Sequence, residues 1–121
     1  MEEILQSVSD VLFPDEMGER RVYLDSRSIE GDTPLHVMAW RNDLWGLKSL
    51  IEAGADVNAI GDMNETGLHI ALAQKNEEMV EALLQAGANP DFRSEFGETA
   101  REKAEEMGGT FRKLMKQYSR T

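Results

Sequence analysis

The chain has 121 residues, of which 40% are hydrophobic and 30% are charged, a balance typical of one globular domain and unlike that of a disordered chain. It contains no cysteine, which excludes disulfides, cysteine-based zinc sites and thiol nucleophiles. The net charge of −10, from 23 acidic and 13 basic residues, argues against nucleic acid as the direct partner and favours a basic one.

The charge is distributed unevenly along the chain. Residues 1–98 carry 20 acids and 7 bases, whereas residues 99–121 carry 3 acids and 6 bases, so the body is at −13 and the tail at +3. No stretch is apolar enough for a signal peptide or a membrane span. We therefore expect a cytoplasmic protein without membrane contact, whose acidic body meets an electrostatic partner first.

The first predicted element is an amphipathic helix in the segment EEILQSVSDVLF. A proline can end a helix because the residue before it avoids the helical conformation, and Pro14 follows this segment. We interpret the segment as an N-terminal capping helix. Its apolar face comprises Ile4, Leu5, Val8, Val11 and Leu12.

Displacing the sequence by 33 residues superimposes Thr33, Thr66 and Thr99, each of which follows an acidic residue. The same offset aligns His36 with His69, and a period this regular predicts a repeat protein. Each unit begins with a threonine suited to an N-cap, continues through a short and a longer helix, and ends at a glycine. The matching apolar stripes of the longer helices include Leu50 and Leu83.

The segments TPLHVMA, SLIEAGADVNA and ALLQAGANPD resemble the ankyrin repeat motif, and the resemblance covers residues 21–118. It implies an all-α ankyrin-repeat solenoid of helix-turn-helix units, with an N-terminal capping helix and a polar C-terminal capping repeat. We expect a single domain over residues 1–121 and, with a cap at each end, an independent protein. Its predicted parts are a cap with a degenerate unit (1–27), a repeat (28–60), a second repeat (61–93) and a capping repeat (94–121).

His36 and His69 are the two histidines of the chain and could in principle bind a metal or act as bases. They lie a whole repeat apart without clustered ligands, and the resemblance implies that each hydrogen-bonds backbone across a turn and ties neighbouring units together. Adjacent acids such as Glu77 and Glu78 point apart on a helix, and no glycine-rich phosphate loop is present. We predict no enzymatic activity, no metal and no cofactor.

The two tryptophans and the basic tail allow more than one interpretation. Trp40 ends a first helix and either packs in the core or faces a partner, whereas Trp45 either packs under the N-terminal helix or forms a second contact patch. Cations near a helix C-terminus favour the helix dipole, which we prefer to nucleic-acid or lipid contact for the tail. The tail cations are Arg112, Lys113, Lys116 and Arg120, and its predicted buried side is Leu114, Met115 and Tyr118.

Ankyrin-like proteins bind partner proteins through turn tips and the concave surface of the first helices. Acids around exposed apolar residues are the composition of a surface for a basic protein partner, although acids alone could merely keep the protein soluble. We expect a monomer whose role is that of a binding module, an immunity or inhibitor protein against a basic toxin such as a nuclease, or an adaptor or scaffold. The positions mapped from the family are Ile29, Glu30, Asp32, Trp40, Arg41, Asp62, Met63, Glu65, Ala73, Gln74, Glu95, Phe96 and Glu98.

Overall fold

The computed structural model describes residues 2–7, 12 and 22–118. Seven α-helices and one short 3-10 turn, Asp62–Asn64, fall within these residues. The all-α prediction is therefore confirmed. The helices are α1 (Glu2–Gln6), α2 (Pro34–Trp40), α3 (Leu44–Glu52), α4 (Gly67–Ala73), α5 (Glu77–Gln85), α6 (Ala100–Met107) and α7 (Gly109–Tyr118).

The longer helices α3 and α5 begin at polar side chains that accept a hydrogen bond from the first helical turn. The Asp43 carboxylate accepts from the backbone N–H of Gly46, and the Asn76 side chain accepts from that of Met79. The residues just before these caps turn the chain through a left-handed conformation, with φ of 60° at Asn42 and 58° at Lys75. These tight turns fold each longer helix back against the short helix before it.

The helices form two layers with one continuous core between them. The short helices α2, α4 and α6 pack side by side in one layer, and α3, α5 and α7 form the other. The core is filled by apolar side chains that the repeat spacing directs inward, as predicted for Leu50 and Leu83. Its fully buried members include Leu47, Leu50, Leu68, Met79 and Leu83.

The first and last described helices, α1 and α7, both bury apolar side chains against the core. Leu5 of α1 and Leu12 are buried against the core, as predicted, whereas Val8, Val11 and Pro14 lie outside the described residues. Helix α7 buries Leu114 and Met115, which confirms the buried side expected for the tail. The Tyr118 hydroxyl donates to the Glu81 carboxylate at 3.0 Å and so ties α7 to α5. Arg120 lies outside the described residues.

Candidate partner-binding surface

Three turns with one hydrogen-bonding scheme project from the helices at 33-residue intervals. Each is closed by a backbone hydrogen bond of 2.9 to 3.0 Å, which runs from Ser28 to Asp32, from Gly61 to Glu65 and from Ser94 to Glu98. The chain reverses through a positive φ within each turn, at Gly31, Asn64 and Gly97. We call residues 29–31, 62–64 and 95–97 the first, second and third turn tips, and the contacts between successive turns the first and second junctions.

Both histidines connect one turn to the next. His36 Nδ1 accepts from the Thr33 backbone N–H at 3.0 Å, and its Nε2 donates to the carbonyl oxygen of Glu65 at 3.0 Å. His69 repeats the arrangement with Thr66 and Glu98, at 3.0 and 3.2 Å. A backbone N–H can only donate, so Nδ1 carries no proton and each ring is neutral. The predicted role of the histidines in joining neighbouring units is confirmed.

The burial of the two rings agrees with this neutral state. Burial lowers the pKa of both His36 and His69 because a charged imidazolium loses its hydration there. The nearby carboxylate of Asp32 raises the pKa of His36, but this effect is smaller than the lowering by burial. In the part of the chain that the structure describes, no group of three or more acidic or histidine side chains is arranged to hold a metal ion.

Glu102 occupies the position of the two histidines in the third unit. Its carboxylate accepts from the Thr99 backbone N–H at 3.0 Å, while the Thr99 hydroxyl accepts from the Glu102 backbone N–H at 3.1 Å. This reciprocal pair is a capping box, and Arg93 adds an ion pair to Glu102 at 3.0 Å. Glu102 lies in the predicted polar capping repeat, and a threonine three residues before a glutamate is the sequence signal of a capping box.

The turn tips expose apolar side chains that neighbour acidic ones. Ile29 is 95% exposed, Phe96 is 73% exposed and Met63 is 45% exposed. The acids Glu30, Asp62 and Glu95 are also exposed. The tips of the first, second and third turns therefore each present one large apolar side chain beside at least one carboxylate.

Three of the positions mapped from the family bond through their side chains to the backbone of a neighbouring element. The Asp32 carboxylate accepts from the Asp62 backbone N–H at 2.9 Å. Arg41 donates to the carbonyl oxygen of Ser7 at 3.1 Å, and Gln74 donates to that of Trp40 at 2.8 Å. These contacts join neighbouring elements and escaped sequence reasoning, because each depends on a partner 30 or more residues away.

The tryptophans both reach solvent. Trp40, at the end of α2, is 51% exposed, and its equivalents in the following units are Ala73 and Glu106. Trp45, at the start of α3, is 71% exposed. Trp45 is therefore a surface residue of the described part of the chain and is not packed under α1.

A cleft of about 370 Å³ opens at the second junction. Burial raises the pKa of the Glu65 carboxyl, and the neighbouring Asp62 and Asp32 raise it further. Burial also raises the pKa of Glu98, as does its hydrogen bond with Glu106. The charged residues that line the cleft are two acids and one base. It is lined by Glu65, His69, Ala73, Ser94, Phe96, Glu98 and Lys103.

Comparison with known families agrees with this architecture. A family model described as "Ankyrin repeats (3 copies)" matches residues 12–94 and, in a second placement, residues 35–116. The chain belongs to the ankyrin repeat family. Ankyrin repeats are non-catalytic modules of protein–protein interaction, so the exposed surfaces of the repeats, rather than a buried pocket, are where function is expected.

Several characterised proteins contain a similar segment. The chain is 38% identical over 80 residues to the ANK repeat-containing protein nipk-1 of Caenorhabditis elegans, covering 59% of this chain and 13% of that protein. It is 42% identical over 76 residues to BRCA1-associated RING domain protein 1 of the same organism, covering 62% and 11%. It is 34% identical over 86 residues to serine/threonine-protein kinase 12 of Arabidopsis thaliana, covering 71% and 19%. The chain thus spans less than a fifth of the length of each of these relatives.

Among the described residues, no helix is long and apolar enough to cross a membrane.

Proposed function

We propose that the chain binds a basic partner protein through its acidic turn tips and the concave surface of its first helices. The observation that carries this proposal is the apolar residue at each turn tip, because Ile29, Met63 and Phe96 all expose a large part of their side chains. Apolar anchors surrounded by charge are the usual anatomy of a protein interface. An immunity protein against a basic toxin is a narrower form of the same proposal.

The acidic residues of the turn tips favour a positively charged partner. Glu30, Asp62 and Glu95 stand exposed at successive tips, and the chain as a whole carries −10. Such a row attracts a positively charged surface and speeds its association. Solubility alone would account for the acids, but exposing Ile29 or Phe96 lowers solubility, so the apolar residues support a binding role.

Selection from a random-peptide library displayed on phage, with the full chain immobilised, tests this proposal. The selected peptides are then measured against a variant carrying Glu30→Lys, Asp62→Lys and Glu95→Lys. A matched control carries Glu3→Lys, Glu52→Lys and Glu78→Lys, which changes the net charge equally at exposed sites outside the turn tips. We expect basic peptides with apolar residues, lost on the tip variant and retained on the control.

Two results would overturn the proposal. One is selection of neutral or acidic peptides only. The other is equal binding of the selected peptides to the tip variant and to the control, since the location of the acids would then be irrelevant.

A second candidate is an adaptor within a larger assembly. The relatives favour it, because in each of them the matched segment is a minor part of a much longer protein. An adaptor must hold two partners at once, so we expect the selected peptides to fall into two groups that do not compete for the protein. If all selected peptides compete with one another for the protein, the adaptor proposal is wrong and the proposal of a single binding surface stands.

A further inference from the structure

The cleft at the second junction is lined by Glu65, whose carboxylate forms no hydrogen bond or ion pair among the described residues. At the first junction, the Asp32 carboxylate accepts from the Asp62 backbone N–H. At the second junction, the equivalent N–H, that of Glu95, donates instead to the carbonyl oxygen of Met63 at 2.9 Å. The carboxylate of Glu65, which corresponds to Asp32, therefore lacks this backbone contact, and Glu65 lines the cleft.

The polar groups behind these carboxylates are already engaged within the protein. His69 bonds Thr66 and Glu98 through its two ring nitrogens, and the Ser94 hydroxyl accepts from the Phe96 backbone N–H at 3.2 Å. What the cleft offers a ligand is therefore its carboxylates and its aromatic ring. The ring of Phe96 is largely exposed.

The lining of the cleft contains fewer cations than carboxylates. Lys103 is the one basic residue in its lining, and its ammonium lies 4.0 Å from the Glu98 carboxylate, the outer limit of an ion pair. Among the described residues, no cation forms an ion pair with Glu65. Burial raises the pKa of both glutamates, and the charge of Lys103 lowers it without reversing this effect.

The residue that lines the cleft from the end of α4 is small. Ala73 contributes only a methyl group at the end of α4, whereas Trp40 and Glu106 occupy the equivalent positions of the preceding and following units. An indole at position 73 would take up the volume that the cleft leaves free. The space therefore adjoins both the aromatic ring and the two carboxylates.

We infer that the cleft receives an arginine side chain of the partner, with the guanidinium between the carboxylates of Glu65 and Glu98 and its flat face against Phe96. A guanidinium is planar, donates in two directions at once and stacks on aromatic rings, whereas an ammonium is a compact point charge. This inference rests on the proposed function and names the side chain that the partner contributes.

Titration of the isotopically labelled full chain with acetyl-Gly-Arg-Gly-amide tests the inference by nuclear magnetic resonance. The same peptide with citrulline, a neutral isostere, and with lysine serves for comparison at equal ionic strength. We expect the arginine peptide to shift the side-chain signals of Glu65, Glu98 and Phe96. We expect a weaker effect from lysine and none from citrulline.

Variants locate the contact. Glu65→Gln keeps the shape of the side chain and removes its charge, whereas Phe96→Leu keeps an apolar side chain and removes the aromatic ring. Each should weaken binding of the arginine peptide about threefold to tenfold. Glu52→Gln, an exposed acid outside the turn tips, is the matched control and should leave it unchanged. Amide signals of the core report that each variant remains folded.

The outcomes separate this inference from the proposed function. If citrulline shifts the same signals, or Glu65→Gln leaves arginine binding unchanged, the arginine cleft is wrong. If in that case the peptides selected from the library still require the acidic tips, the proposed function stands without the cleft. If no basic peptide requires the tips, both fail.

Discussion

The two junctions of this chain differ in how they use equivalent residues. At the first, the Asp32 carboxylate binds the backbone of the second turn, and Arg27 donates to the carbonyl oxygens of Gly31 and Ile60, both at 2.7 Å. At the second, Ile60 stands where Arg27 stands in the first and the Glu65 carboxylate is left to the cleft. The polar side chains thus join successive turns at the first junction, whereas at the second junction the equivalent carboxylate remains available to a ligand.

The cores beneath the two junctions are alike, so the largest expected effects should be equal on both sides. Leu50 and Leu83 are equivalent and fully buried. Replacing either by alanine opens a cavity between helices and should lower the free energy of unfolding by about 2 to 5 kcal/mol. Chemical denaturation measures both variants. A change of less than about 1 kcal/mol in one of them would break the assumed equivalence of the cores.

Gly61 and Ser94 are equivalent positions that the junctions use differently. A Cβ on Gly61 would collide with the Asp32 carboxylate and lie 2.8 Å from His36 Nε2. Gly61→Ala should therefore disturb the contact between His36 and the next turn and cost roughly 1 to 3 kcal/mol. Ser94→Ala loses one partly exposed hydrogen bond and should cost about 0.5 to 1 kcal/mol. A Gly61→Ala protein as stable as the wild type in thermal melts would contradict this account.

Removing the equivalent carboxylates of Asp32 and Glu65 should change the stability of the protein by different amounts. Asp32→Ala removes the acceptor of the Asp62 backbone N–H and should cost about 0.5 to 1.5 kcal/mol. Glu65→Ala removes no such bond and relieves repulsion from Asp62, so the melting temperature should stay unchanged or rise. Equal destabilisation by both substitutions would show that Glu65 holds the fold as Asp32 does.

The sequence could predict what the 33-residue period imposes. Threonine N-caps, the apolar stripes and the histidine links recur at fixed offsets, and one unit explains the next. The carboxylate of Asp32 and that of Glu65 could not be told apart in this way. Their different roles depend on which acceptor the next turn's backbone N–H takes, a tertiary contact that no local pattern encodes. The family motif also marks Asp32, Arg41 and Gln74 as surface positions and cannot show that each bonds a neighbouring element.

The smallest expected effects concern pH. The unfolded chain begins to bind protons on histidine near pH 6.5, whereas the buried rings of His36 and His69 resist protonation. Their contribution to stability should therefore be complete above about pH 6.5 and fall as the pH drops toward the folded-state pKa. Protonation of Glu65, whose pKa is raised, acts in the opposite sense and adds stability as the pH falls through that pKa.

Ring titration by nuclear magnetic resonance resolves these contributions residue by residue. Asp32→Asn should lower the pKa of His36 further, because it removes the charge that favours the imidazolium. Glu65→Gln should leave the pKa of His69 unchanged, since burial and backbone hydrogen bonds set it. A histidine that titrates above its ordinary value in the wild type would refute the neutral, donor-and-acceptor assignment.

Association kinetics against ionic strength test the central claim, that the acidic turn tips attract and hold a basic partner. The probe is the most tightly bound basic peptide from the library selection, measured on the wild type, on the Glu30→Lys, Asp62→Lys and Glu95→Lys variant, and on the control with equal net charge. The account predicts an association rate about tenfold or more lower for the tip variant at low salt, with a flatter salt dependence, and little change beyond the net-charge effect for the control. Identical rates and salt slopes for the tip variant and the control would contradict it.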